Sequence, residues 1–152
     1  MKLYDILQES NVEFKKIEKE LWQRFSRSLA QIAQEEYDQW DEDNTDCYAG
    51  GGICHFIADR FSEFFNEQGM NAFTESDTMI QHVYTVLIIE REYDEEFGNQ
   101  DMFFRVDINP YIYEDGAGFQ WSKKPDITFS ANDVEIEYLG EGDEWYQNFE
   151  MD

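Results

Sequence analysis

Gly50-Gly51-Gly52-Ile53-Cys54-His55-Phe56-Ile57-Ala58 is the stretch from which the fold is read. Three glycines run into a cysteine, and the cysteine opens a segment with helical spacing. Ile57, Ala58, Phe61, Phe64 and Phe65 recur at three- and four-residue steps. The spacing predicts a helix over 54–68, with Gly69 as its stop. A cysteine at a helix N-terminus sits in the partial positive charge of the unpaired N–H groups, which favours the anionic sulfur. Cys54 lies one turn before Ile57 and Ala58, so it points to the core side. His55 is one step round and faces elsewhere, because adjacent helical residues do not share a face.

Upstream, residues 1–40 read as helix. Ser10 and Glu13 have capping-box spacing, and Phe14, Ile17, Leu21, Phe25, Leu29 and Ile32 form one apolar stripe. Residues 41–53 read as a loop carrying Asp41, Glu42, Asp43, Asn44 and Asp46 before the glycines. The loop lacks the glycine and terminal glutamate of the helix-loop-helix calcium motif, so it reads as a solvated acidic turn and no metal is expected there.

Downstream, Thr74 to Thr78 reads as a polar connection. His82-Val83-Tyr84-Thr85-Val86-Leu87-Ile88-Ile89 is rich in β-branched residues and apolar on both faces, the pattern of a central strand. An acidic segment with Gly98-Asn99 as a turn signal leads into Met102-Phe103-Phe104-Arg105-Val106-Asp107-Ile108, ended by Asn109-Pro110. The two strands predict an antiparallel hairpin that brings His82 within a couple of residues of the register of Asp107. Ile127 to Phe129 and Val134 to Leu139 read as short strands, the second a half-exposed edge. Residues 140–152 form an acidic tail. The expected organisation is one α+β domain over 1–152. It divides into an N-terminal helical region and acidic loop (1–47), a Cys-His-Asp core (48–139) and the tail.

Composition narrows the function classes. Net charge is −24; residues 1–27 sum to +1 and the remainder to −25. Charge of this sign argues against direct nucleic-acid or anionic-membrane binding by the main body. It opens another reading, a non-enzymatic acidic binding protein that imitates DNA and inhibits a host nucleic-acid-binding factor. No apolar run approaches a membrane span, and the N-terminus has no signal-peptide pattern. Two cysteines, Cys47 and Cys54, make no disulfide framework, so the expected location is the reducing cytoplasm. A zinc site from Cys47, Cys54, His55 and His82 matches no common ligand spacing.

Three residues then stand out as a candidate catalytic set: Cys54, His82 and Asp107. The thiolate is the nucleophile; the imidazole takes its proton and later protonates a leaving group. The carboxylate holds the imidazole in one tautomer. The N–H of Cys54 with a second donor could form an oxyanion hole, and Gln81 and Asn109 are the support candidates. Cys47 is the alternative nucleophile, set among acidic neighbours. The chemistry needs no cofactor.

This order resembles the papain-like and transglutaminase-like cysteine peptidase superfamily, in which a cysteine begins the central helix and a histidine begins a strand of the following sheet. The stretches Gly51 to Asp59, Gln81 to Tyr84, Asp107 to Pro110 and Tyr113 to Gly118, with Trp121 and Lys123, also look like a group of small uncharacterised proteins of bacteria, phages and plasmids. The resemblance implies a papain-like arrangement of helix and antiparallel sheet. It also implies hydrolysis, deamidation or transamidation of a protein or peptide substrate through Cys54, His82 and Asp107.

Overall fold

The computed structural model describes residues 3–39, 53–77, 82–96, 98–108 and 126–141, with 3–12 and 77 described by their backbone alone. Cys47, the glycines Gly50 to Gly52, Gln81 and Asn109 lie outside the described residues. Two helices, α1 (Leu3–Gln39) and α2 (Ile53–Glu67), pack on a sheet of four strands: β1 (Asn71–Asp77), β2 (His82–Ile89), β3 (Met102–Ile108) and β4 (Val134–Glu141). The strands run in the order β1-β2-β3-β4, each antiparallel to the next, so the architecture is α+β.

The apolar stripe of α1 supplies the core. Leu21, Phe25 and Leu29 are buried, and Ala33 and Tyr37 extend the stripe toward the helix C-terminus. Phe14, Ile17 and Ile32 pack at its margin. Ser10 lies inside α1, seven residues past its first residue Leu3, so its spacing to Glu13 does not mark the helix start. From α2, Ile53, Cys54, Ile57, Phe61 and Phe65 enter the same cluster. Phe25 meets Phe65 edge-on at 5.3 Å and Phe64 at 5.8 Å, the geometry that brings a positive ring edge to a negative face. Arg60 ties the helices at their surface, reaching Glu35 at 3.1 Å and Glu36 at 3.2 Å. Burial pulls its proton affinity down, but the bonds to Glu36 and Glu35 outweigh that and raise it overall.

The turn after α2 decides where the sheet goes. Gly69 has φ +82°, a left-handed conformation that a side chain would strain, and the Met70 N–H closes back on the Phe65 carbonyl at 3.0 Å. Asn66 clamps the reversal: its Oδ1 accepts from the Ala72 N–H at 3.0 Å and its Nδ2 donates to the Ala72 carbonyl at 3.3 Å. The chain then runs back along α2 as β1. Here the structure corrects the sequence reading. The polar segment expected as a connection is an edge strand, paired with β2 from Asn71↔Ile88 to Asp77↔His82. Its side chains carry little apolar signal; its stability comes from the backbone of β2, which needs a partner on that side.

Because β1 is antiparallel to both α2 and β2, the N-terminus of α2, the start of β2 and the end of β3 lie at one end of the molecule. Thr85 Oγ1 donates to the Ala58 carbonyl at 2.9 Å and pins β2 to α2. The hairpin register Thr85↔Val106 to Ile89↔Met102 places Tyr84 opposite Asp107 and His82 one diagonal away. The other edge, β4, is covered by α1. The Tyr138 N–H donates to Glu18 Oε1 at 2.7 Å, and Trp22 Nε1 donates to the Val134 carbonyl at 3.1 Å. Covering an edge in this way removes a template for strand addition. Residues 127–129, expected as a strand, are not one. Gln34 takes the strand partner's place, donating to the Ile127 carbonyl at 2.9 Å and accepting the Phe129 N–H at 2.7 Å. No described helix is long and apolar enough to cross a membrane.

Candidate active site

The sheet has two faces, and strand alternation assigns residues to them. Leu87, Phe104, Val106 and Ile108 share the helix-side cluster with Cys54. Tyr84, Val86 and Phe103 form a second cluster with Phe73, Ile88 and Leu139 on the far face. By the same alternation His82, Arg105 and Asp107 belong to the far face. There the imidazole and carboxylate meet: His82 Nε2 lies 2.6 Å from Asp107 Oδ2, with side-chain exposures of 0% and 4%. The same oxygen accepts from an Arg105 Nη2 at 3.1 Å, and Oδ1 accepts from the Ile108 N–H at 2.9 Å. Arg105 also lies over the Tyr84 ring, 4.3 Å from its centroid, a cation–π contact that holds the guanidinium in place.

The carboxylate therefore receives three N–H donors in a site away from water, and charge-assisted bonds of this type are the strong ones. The contact with Asp107 engages Nε2 and holds the ring's orientation.

Cys54 is a free thiol, buried at the second residue of α2. It stands at the same end of the layer as His82 and Asp107, on the helix side of the sheet. Among the described residues no hydrogen bond joins its Sγ to the imidazole. His82, the first residue of β2, belongs to the far face, so the thiol and the ring lie on opposite sides of the sheet. His55 turns to solvent and pairs with Asp59, one helical turn on, at 3.2 Å. The structure thus brings two of the three candidates into contact and sets the third at the same end. Among the described residues no group of three or more His, Cys, Asp or Glu side chains is arranged to hold a metal ion.

Arg105 is the member of this cluster that the sequence reading passed over. Its signal was present: an arginine in an otherwise apolar strand, two residues before an aspartate and therefore on the same face. Comparison with protein-family models, curated proteins and solved structures finds no match to this chain.

Proposed function

We propose that this protein is a thiol-dependent hydrolase or acyltransferase acting on amide bonds of a protein or peptide in a reducing, cytoplasmic setting. The observation that carries the reading is the buried 2.6 Å bond between His82 Nε2 and Asp107 Oδ2, at the end of the layer where α2 delivers Cys54. The resemblance to papain-like and transglutaminase-like peptidases supports the same assignment.

In this reading His82 takes the proton of Cys54 Sγ, and the thiolate adds to the amide carbonyl carbon. The C–N bond breaks as the imidazolium returns the proton to the departing amine, leaving a thioester on Cys54. Water or a second amine then attacks the thioester; the imidazole takes the proton of the attacking group and gives it to the sulfur as the C–S bond breaks. Asp107 keeps the ring oriented throughout. Gln81 and Asn109 remain the candidates for supporting the oxyanion.

Iodoacetamide alkylation near neutral pH, followed by mass spectrometry, tests the pairing. The reading expects carboxamidomethylation of Cys54 that slows at least tenfold in His82→Ala, and a thioester adduct with activated peptide esters that Cys54→Ala and Cys54→Ser abolish. Equal alkylation rates in wild type and His82→Ala, both proteins folded, would refute it.

A second reading, an acidic binding protein that imitates DNA, is favoured by Glu135, Glu137 and Glu141, exposed along the edge strand β4, together with the net charge of −24. It expects indifference to Cys54→Ala and loss of partner binding when these glutamates become glutamine.

A further inference from the structure

We propose that Arg105 is a positioning residue that acts through Asp107 to lower the proton affinity of His82, so that the imidazole rests neutral and works as a general base instead of as half of a preformed thiolate–imidazolium pair. The proposal rests on the reading of His82 as the base.

The geometry is specific. Asp107 Oδ2 accepts at once from His82 Nε2 at 2.6 Å and from Arg105 Nη2 at 3.1 Å. A carboxylate with a single imidazole partner would stabilise the protonated ring. With a guanidinium on the same oxygen, the anion is already compensated, and a second positive charge beside it is opposed. The arginine cannot drift away cheaply, because Tyr84 lies beneath it and its side chain is only 26% exposed. Burial of the ring itself adds to the preference for its neutral form.

The other charged groups that the described strands place near the ring are acids, which favour its protonated form. In the backbone register, β1 sets Asp77 opposite His82 and Glu75 opposite Tyr84. Strand β4 places Glu135 opposite Asp107 and Glu137 opposite Arg105. All four are acids. On α2 at this end of the layer the titratable groups are Cys54 and, turned to solvent, His55 with Asp59. Arg105 is therefore the cation of the set among the described residues.

The two histidines make the test selective, because His55 is exposed beside Asp59 and serves as an internal control. Imidazole ¹⁵N and ¹³C shifts of the full-length protein are followed against pH. In Arg105→Met and Arg105→Gln the His82 midpoint should rise by about one pH unit, the size of effect a nearby charge exerts. In Arg105→Lys, which retains the charge, it should stay within about 0.3. His55 should not move. A His82 midpoint that is unchanged or lower in the Met and Gln proteins, or a Lys protein that shifts as far as Met, overturns the proposal. A wild-type measurement covers the case in which the neutral variants fail to fold. At pH 7 the ring should show the neutral Nε2–H tautomer, and an imidazolium there overturns the proposal. Alkylation of Cys54 separates this inference from the catalytic reading. If thiol and ring work together, the acidic limb of the rate profile moves with the His82 midpoint. If the midpoint moves and the limb does not, Arg105 has the assigned effect on His82 and the thiol reading fails.

Discussion

Asp107→Asn is the substitution that most sharply probes the buried cluster. The change keeps the size of the side chain and an oxygen for the Ile108 N–H, now 2.9 Å from Oδ1. It places an NH₂ where two donors converge, His82 Nε2 at 2.6 Å and Arg105 Nη2 at 3.1 Å. Breaking a buried pair by removing one partner costs about 3–5 kcal/mol. The ring can answer by carrying its proton on Nδ1 and accepting from the new amide, which recovers about 1 kcal/mol. A net loss of about 3 kcal/mol follows, equivalent to a fall in Tm of roughly 6–12 °C for a chain of this size. Urea unfolding followed by tryptophan fluorescence measures it, with an unchanged m-value showing that the native and unfolded states keep their extents. A double-mutant cycle with His82→Ala should return a coupling of at least about 1.5 kcal/mol, since the two groups are in direct contact. A loss below about 1 kcal/mol, or additivity in the cycle, would mean that the carboxylate and imidazole do not depend on each other in the folded protein.

Substitutions at three further positions test the frame that presents the cluster. Phe65→Ala removes a fully buried ring stacked edge-on with Phe25 and should cost about 3–5 kcal/mol in the same unfolding assay. Gly69→Ala meets no atom within 4 Å, so its cost of about 1 kcal/mol comes from the left-handed backbone at φ +82° alone, and Gly69→Asn should cost less. Arg60→Ala removes the half-exposed bridge from α2 to Glu35 and Glu36. It should destabilise by less than about 1 kcal/mol, with the difference from wild type shrinking further in 1 M salt.

Much of this architecture is legible without coordinates because it depends on local periodicity. The stripe of α1 and the face of α2 follow from apolar residues three and four apart. The structure gives α2 as Ile53–Glu67, one residue from the expected span at each end. The hairpin of β2 and β3 follows from two β-branched, apolar runs about one turn signal apart, and its register falls where the sequence placed it. The contact of His82 with Asp107 is a consequence of that register. Val134 onward reads correctly as an edge because exposed glutamates alternate with buried Val134 and half-buried Ile136 and Tyr138.

What the sequence could not reveal has a common physical cause: interactions between groups distant along the chain that leave no periodic trace. β1 is a strand because β2 offers it hydrogen bonds, not because Asn71–Asp77 alternates in hydrophobicity. Residues 127–129 are held straight by the amide of Gln34, which substitutes for a neighbouring strand. Alternation alone assigns His82, Arg105 and Asp107 to one face. Only the packing of α1 and α2 on the opposite face reveals which side of the sheet that is, and with it the side from which Cys54 approaches. The shared oxygen of Asp107, taken by both Arg105 and His82, is likewise a tertiary fact. Sequence fixes which groups are present and their order; the close approach of two positive-going donors to one buried anion exists only once the strands pair.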